Sequence, residues 1–193
     1  MTSISSSMIL SNAEKPTVIN LMRKMTVDGG IVLEGINRAF PIITKLYRGR
    51  PEMLIMKMTN GRNMQMFRKG TVQILGCISD EEAENMRLEF IVKLRQLKRT
   101  MKMGQVSEMT ISNIVMSAQL KRKVRLNKIP WSDCNVFHET ELFPAALIRK
   151  WLPVHIALFQ NGKVILTGLK SVSEVSNIMT DLHSFLDNSH YIS

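Results

Sequence analysis

The sequence repeats itself, and this internal duplication restricts the possible folds of the chain more than any other feature. With a shift of 92 positions, residues of the first half fall on like residues of the second. The matched pairs are Lys57 with Arg149, Phe67 with Phe159, Gly70 with Gly162, Val72 with Val164, Ile74 with Leu166, and Gly76 with Gly168. With a shift of 93 they are Asn20 with Asn113, Leu21 with Ile114, Leu33 with Leu126, and Ile36 with Ile129. A shift that changes by one residue across several matches indicates two copies of one module.

Both copies show the same order of predicted elements. An early strand, 17–27 or 110–120, leads to a short apolar segment and then to three strand-like runs separated by Gly or Pro turns. The runs are 54–58, 64–67 and 71–75 in the first copy, and 146–152, 155–159 and 163–167 in the second. Each copy then predicts a helix with an apolar face, started by Ser79 or Ser171 three residues before a Glu. The pattern predicts an α+β fold in which helices cover one face of an antiparallel sheet.

The repeat also sets the expected domain boundaries. Residues 1–13 are Ser-rich and predict a disordered tail. The first copy is expected over 14–100 and the second over 101–193, with a polar, partly basic linker at 98–108.

Composition narrows the classes of function. The 193 residues carry 26 Lys and Arg against 16 Asp and Glu, a net charge of +10, which favours a polyanionic partner such as nucleic acid. The two cysteines, Cys77 and Cys134, are too few for a disulfide-rich scaffold, and no basic flank marks a secretory signal, so we expect an intracellular protein. The four histidines lack metal spacing, and no nucleotide, hydrolase or metalloprotease motif occurs. We therefore expect no enzyme activity, no cofactor and no metal.

Two segments of the second copy resemble the TATA-binding protein family. They are E-T-E-L-F-P at 139–144 and A-L-F-Q-N-G-K-V-I-L-T-G-L-K at 157–170. The segment 111–115 looks like the family's opening strand, and the first copy is similar through Asn20, Phe67, Gly70 and Gly76. The resemblance implies a duplicated, pseudo-two-fold saddle. In it a curved antiparallel sheet grips DNA with its concave face, and two long helices lie on the convex face.

The chemistry of the minor groove explains why such residues would serve DNA binding. A·T pairs present mainly acceptors there, so a carboxamide N–H donor such as Asn20 or Asn113 would favour A·T. Phenylalanine at the groove edge can wedge between base steps and kink the duplex, for which the TATA-binding protein is itself the standard example. By strand parity Phe159 shares a face with Lys163 and Thr167, so we expect it to be exposed. The DNA-binding residues implied by the resemblance are Asn20, Lys57, Arg62, Phe67, Asn113, Val115, Phe143, Arg149, Phe159, Lys163, Ile165, Thr167 and Lys170.

The first copy departs from this pattern. It has Thr71 where the second copy has Lys163, Leu75 where it has Thr167, and Ile78 where it has Lys170. The partner of Phe143 is Pro51 by the shift, with Met53 as a rival. We therefore expect the second half to dominate DNA contact and the sequence preference to be looser than a strict TATA element.

The acidic loop residues Glu139 and Glu141, with Leu142, occupy the segment that meets transcription factor IIB in this family. A solvated turn is the alternative, but carboxylates would repel DNA, which favours a partner site. The resemblance thus implies a transcription initiation factor that binds and bends A·T-rich promoter DNA and recruits a IIB-type factor and RNA polymerase, with IIA-like or associated factors as further partners. It would act in the nucleus, or at the site of viral or archaeal transcription. The rivals are an adaptor without specific DNA binding and, more remotely, a domain attached to a nucleic-acid enzyme.

Overall fold

The computed structural model describes residues 13–97, 104–129, 136–139 and 141–188. The expected tail up to residue 12 and Cys134 lie outside the described residues. The chain divides into two compact units: residues 20–112 form the first unit, and residues 1–19 with 113–193 form the second.

The first unit is an antiparallel sheet with one long and one short helix. In chain order its elements are β1 (Ala13–Thr26, which starts before the unit's first residue), α1 (Leu33–Ala39), β2 (Thr44–Tyr47), β3 (Met53–Lys57), β4 (Asn63–Phe67), β5 (Thr71–Cys77) and α2 (Asp80–Leu97). The strands lie in the order β2-β3-β4-β5-β1, and each pairs antiparallel with its neighbour.

The second unit repeats this plan. Its elements are β6 (Thr110–Leu120), a 3₁₀ turn (Leu126–Lys128), β7 (Val136–Phe137), β8 (Ala145–Ile148), β9 (His155–Phe159), β10 (Lys163–Leu169) and α3 (Glu174–Asn188). The strand order is β6-β10-β9-β8-β7, again antiparallel throughout. The predicted α+β class is confirmed.

The sequence did not predict the two edge strands, β2 and β7. Strand β2 reads Thr-Lys-Leu-Tyr and β7 is only two residues long, so neither carries enough alternation to be distinguished from a loop. The predicted run 146–152 is also shorter in the structure, because β8 ends at Ile148 and a turn follows.

Alternating burial gives each sheet a covered face and an open face. In β5, Val72 and Ile74 are fully buried, whereas Thr71 and Gln73 are half-buried. In β10, Val164 and Leu166 are fully buried, whereas Ile165 is half-buried. The helices contribute the matching core residues, which are Ala83, Met86, Phe90, Leu94 and Leu97 of α2 and Val175, Met179, Leu182 and Leu186 of α3. Residues of the opposite parity are therefore available to a ligand.

The two long helices start differently although both carry Ser three residues before Glu. At α2 the Glu82 N–H donates to Ser79 Oγ (3.1 Å) and Glu82 accepts from the Ile78 N–H (2.9 Å). At α3 Glu174 accepts from the Ser171 N–H (2.6 Å), but Ser171 Oγ accepts from the Ser173 N–H (3.2 Å) instead. In both helices the Glu satisfies backbone donors ahead of the first turn.

Part of the expected linker is hydrogen-bonded to the end of β1. The Asp28 N–H donates to the Gln105 carbonyl (2.9 Å), and the Ser107 N–H donates to the Thr26 carbonyl (2.8 Å). A Cβ on Gly104 would lie 2.2 Å from the Asp28 carbonyl oxygen, so this close approach requires glycine. We call residues 104–107 the strap; it belongs to the first unit.

Candidate nucleic-acid interface

Asn20 and Asn113 occupy equivalent positions in their units and make the same hydrogen bond. Asn20 Oδ1 accepts from the Gly76 N–H (3.1 Å), and Asn113 Oδ1 accepts from the Gly168 N–H (2.8 Å). Each glycine sits at an irregularity of the strand register and has a positive φ, 83° for Gly76 and 94° for Gly168. Each strand bulge thus presents a backbone donor that the regular ladder does not use.

This hydrogen bond orients the carboxamide. Both asparagines are half-buried and alternate with covered-face residues, Leu21 after Asn20 and Ile114 after Asn113, so they lie on the open faces. An amide held through its oxygen directs its NH₂ group, which can only donate, away from the glycine. Such a fixed donor on an open face suits ligands that present acceptors.

Phe143 and Phe159 form an aromatic pair on the open face of the second unit. Their ring centroids lie 6.0 Å apart with the planes inclined at 63°, an edge-to-face contact. Ala145 pairs with Phe159 in the register, follows Phe143 by two residues, and is only 1% exposed although it lies on the open face. Phe159 is therefore half-buried rather than exposed as expected, because the neighbouring ring covers part of it.

The first unit has one aromatic residue at the equivalent positions. Phe67 pairs with Met53 as Phe159 pairs with Ala145, so Met53 is the counterpart of Ala145. Pro51, two residues before Met53, then holds the position of Phe143. The register thus favours Pro51 over Met53 as the partner of Phe143.

The floor of the open face in the second unit is apolar with small neighbours. Ile165 lies between Ser117 of β6 and Ala157 of β9 and is half-buried. Val115 has the same parity on β6, and Thr167 lies opposite His155. The arrangement leaves methyl groups rather than charges at the centre of the face.

Cations surround this floor. Lys163 is exposed opposite Gln119, Lys170 is exposed just after β10, and the Arg149 guanidinium lies 5.1 Å from the centre of the Phe137 ring. In the first unit Lys57 is exposed with open-face parity, opposite Asn63.

Arg62 is the predicted cation that the structure does not bring to the open face. Its Nε donates to Glu82 Oε1 (3.0 Å) near the start of α2, and the pKa of Glu82 is lowered by the Ile78 backbone hydrogen bond and by Arg62. Asn60 also donates to Glu82 (3.2 Å). Sequence spacing could not reveal this competition, because Glu82 is 20 residues away in the chain.

Several open-face residues were missed by sequence reasoning. Lys24 of β1 is exposed opposite Gln73, and Tyr47 of β2 is exposed opposite Met53. Lys24 has the parity of Asn20, and the extra residue of the register irregularity lies in β5 and not in β1, so the alternation of the early strand could have revealed Lys24. Tyr47 carried no signal because its strand was not predicted.

The described residues of the acidic loop are exposed, and backbone hydrogen bonds join them. The Glu139 carbonyl accepts from the N–H groups of Leu142 (3.0 Å) and Phe143 (2.9 Å). Glu139 and Glu141 are exposed, and the Leu142 side chain is 80% exposed. This part of the loop thus exposes an apolar side chain directly after the carboxylate of Glu141.

In the described residues, no three His, Cys, Asp or Glu side chains are grouped as a metal site would require. Burial raises the pKa of the Cys77 thiol to about 11, and burial lowers the pKa of His183 in α3. Within the same residues, no helix is long and apolar enough to cross a membrane.

Known proteins share both the sequence pattern and the fold. The family model described as transcription factor TFIID, or TATA-binding protein, matches residues 108–189. The TATA-box-binding protein of Pyrobaculum calidifontis is 30% identical over 135 residues, which are 69% of this chain and 67% of that protein. The chain belongs to the TATA-binding protein family. TATA-box-binding protein E of Halobacterium salinarum is 33% identical over 126 residues, 63% of this chain and 66% of that protein.

The fold agrees with this membership. The structure matches the Methanococcus jannaschii TATA-binding protein with a TM-score of 0.72 and 24% identity, over 90% of this chain and 99% of that one. The family to which the chain belongs is one of transcription factors. The family model matches only within the half that contains the aromatic pair, in line with the departures of the first copy.

Proposed function

We propose that this chain binds A·T-rich duplex DNA through the minor groove and bends it, as a transcription initiation factor. The observation that carries the proposal is the oriented asparagine of each unit, Asn20 on Gly76 and Asn113 on Gly168. A donor fixed in this way matches the acceptors adenine N3 and thymine O2 and meets the guanine amino group unfavourably. The names of the relatives in Pyrobaculum and Halobacterium support the same ligand.

Bending would follow from insertion of the aromatic pair. Phe143 and Phe159 stand on the open face beside an apolar floor, which suits wedging between base steps. The exposed cations Lys163, Lys170 and Arg149 would then hold phosphates beside the floor, with Lys57 in the first unit.

Recruitment would use the acidic loop. The carboxylates of Glu139 and Glu141 carry a charge opposite to that of the DNA-facing cations, and Leu142 adds an exposed apolar side chain. We propose this loop as the contact for a IIB-type factor, which would bring RNA polymerase to the bent DNA. The chain would act wherever its host transcribes DNA; the relatives named above are archaeal, so they offer no support for the expected nuclear location.

A second candidate function is an adaptor with weak DNA binding. It is favoured by the first unit, where Arg62 is paired with Glu82 and Arg68 with both Glu34 and Glu52. With Thr71, Leu75 and Ile78 in place of Lys163, Thr167 and Lys170, that unit offers fewer cations to phosphates at those positions.

A binding and bending assay separates the two candidates. Wild type and Asn113→Ala are titrated into A·T-rich and G·C-rich duplexes carrying a fluorophore at each end, so that affinity and end-to-end distance are both measured. We expect wild type to prefer A·T and shorten the distance, and Asn113→Ala to lose about 1–3 kcal/mol of that preference. Equal affinity for both duplexes, or no change of distance, would favour the adaptor. Leu152→Ala, an exposed apolar change in the β8–β9 turn, is the control.

A further inference from the structure

Three side chains form a row across the open face of the first unit. Tyr47 of β2 pairs with Met53 of β3, and Met53 pairs with Phe67 of β4. Directly paired residues in a sheet point to the same face with Cβ atoms about 5 Å apart. Phe67 and Met53 are half-buried and Tyr47 is 36% exposed, so the row presents continuous apolar surface at the outer edge of the sheet.

The second unit builds the same place differently. There, small Ala145 in the position of Met53 leaves room for the ring of Phe143 beside Phe159. If the β7–β8 register, Phe137 opposite Leu147, is continued by two residues, Glu139 falls opposite Ala145, where the first unit has Tyr47. The first unit therefore lacks an aromatic residue at Pro51 but has one, Tyr47, on the next strand towards the edge.

The charges around the row also differ between the units. Lys45 Nζ lies 5.1 Å from the centre of the Tyr47 ring, and Arg48 and Arg50 are exposed in the turn that follows. Glu139 and Glu141 stand in the corresponding turn of the second unit. The turn after β2 thus carries two arginines where the second unit carries two glutamates.

We infer that Tyr47 and Met53 complete the first unit's DNA-insertion edge beside Phe67, and that Arg48 and Arg50 bind the phosphates next to it. The inference rests on the proposed function and adds to it, because it gives the first unit contacts that the comparison of the two copies does not predict. Aromatic rings stack on any base, whereas exposed guanidiniums contact phosphate, so the turn recognises duplex shape rather than sequence. A protein partner would have to accommodate the positive charges of Lys45, Arg48 and Arg50 within six residues of chain.

The test compares ring, charge and control variants on one duplex. The A·T-rich duplex carries 2-aminopurine at a single step, moved along the site, so that its fluorescence reports local unstacking. We expect Tyr47→Ala to weaken binding about tenfold and abolish unstacking at one end of the site only, since a stacked base contributes on that scale. Tyr47→Phe keeps the ring and should keep both. Ile42→Ala, an almost fully exposed apolar change outside the row, should behave as wild type. Thermal unfolding checks that each variant is folded.

The charge variants test the second half of the inference. Arg48→Gln with Arg50→Gln should lower the slope of log affinity against log salt by about 2, close to 0.9 per phosphate contact. The inference would be overturned, and the proposed function left intact, if wild type binds the duplex and Tyr47→Ala binds it with the same affinity. Equal losses of affinity in Tyr47→Ala and Tyr47→Phe would have the same meaning. Failure of wild type to bind or bend the duplex would overturn the proposed function and the inference with it.

Discussion

The ring of Phe143 meets the ring of Phe159 edge-on at 6.0 Å, with the buried methyl group of Ala145 beside them. The contact buries part of each ring, but Phe143 stays 43% exposed, so apolar surface remains on this face for a ligand to cover. We therefore expect the pair to contribute more to DNA binding than to the stability of the free protein.

Removing both rings should reduce binding far more than stability. For Phe143→Ala with Phe159→Ala we expect at least a tenfold loss of affinity for A·T-rich DNA and loss of the bend, because each stacked base contributes about 1–3 kcal/mol. The end-to-end distance of a doubly labelled duplex measures the bend. A variant that bends DNA as wild type does would contradict this role, and Leu152→Ala serves as the matched apolar control.

The two bulge glycines should differ in their tolerance of alanine. Both have positive φ, which costs an alanine about 1–2 kcal/mol. At Gly76 the added Cβ would make an ordinary 3.5 Å contact with the Arg62 side chain, but at Gly168 it would lie 2.4 Å from the Pro153 carbonyl oxygen. We expect Gly168→Ala to lower the free energy of unfolding by clearly more than Gly76→Ala in urea titrations. Equal losses would mean that the backbone of the β8–β9 turn at Pro153 shifts to admit the added methyl group.

Acid should weaken the first unit through Glu34. Hydrogen bonds from Arg68 (2.7 and 3.2 Å) lower the pKa of Glu34 from 4.5 to about 2. A lowered folded-state pKa means that the stabilisation is complete above pH 4.5 and is lost as the pH falls towards 2. The difference in urea midpoint between wild type and Glu34→Gln should therefore be constant above pH 4.5 and shrink below it. A difference that does not depend on pH would exclude the ion pair as its source.

Salt dependence should identify the phosphate contacts of the second unit. Replacing Arg149, Lys163 or Lys170 by Gln should each reduce the slope of log affinity against log salt by about 0.9. Lys93→Gln is the control, since that lysine lies on α2 near Glu89 (3.4 Å). The slopes are measured by fluorescence anisotropy between 50 and 200 mM salt. Over this range the affinity of a protein with six or more phosphate contacts falls roughly a thousandfold. If the slope is unchanged in all three variants, these three side chains do not contact phosphates.

The acidic loop should serve a protein and not DNA. Glu139→Lys with Glu141→Lys is expected to abolish formation of a ternary complex with a IIB-type factor on A·T-rich DNA, while binding of the duplex alone stays equal or becomes tighter. Leu142→Ala should weaken the ternary complex without changing charge. A native gel resolves the two complexes. If both variants form the ternary complex as wild type does, the loop is a solvated turn and not a partner site.

The repeat and the parity of the strands predicted much of this architecture, because both can be read from residue types and spacings without knowing which segments are in contact. Asn20 and Asn113 lie at equivalent bulges, and the covered residues Val72 and Val164 match, as the shift indicates. What the sequence could not predict depends on contacts between distant segments. Arg62 forms an ion pair with Glu82, and the bulge glycines donate hydrogen bonds to the asparagine oxygens.

Short edge strands were the second source of error. Strand β2 has four residues with mixed polarity, so Tyr47 could not be assigned a face until its pairing with Met53 was known. The half-buried state of Phe159 also needed three dimensions, since the ring that covers it comes from the loop before β8.

The strap has a consequence for dissecting the molecule. A fragment of the first unit cut at residue 100 would expose the Thr26 carbonyl and the Asp28 N–H, and would delete the bridge between Val27 and Val106. A fragment that runs through Ser107 would retain all three. The first unit is therefore longer at its carboxyl end than α2, because the strap completes the hydrogen bonds at the end of β1.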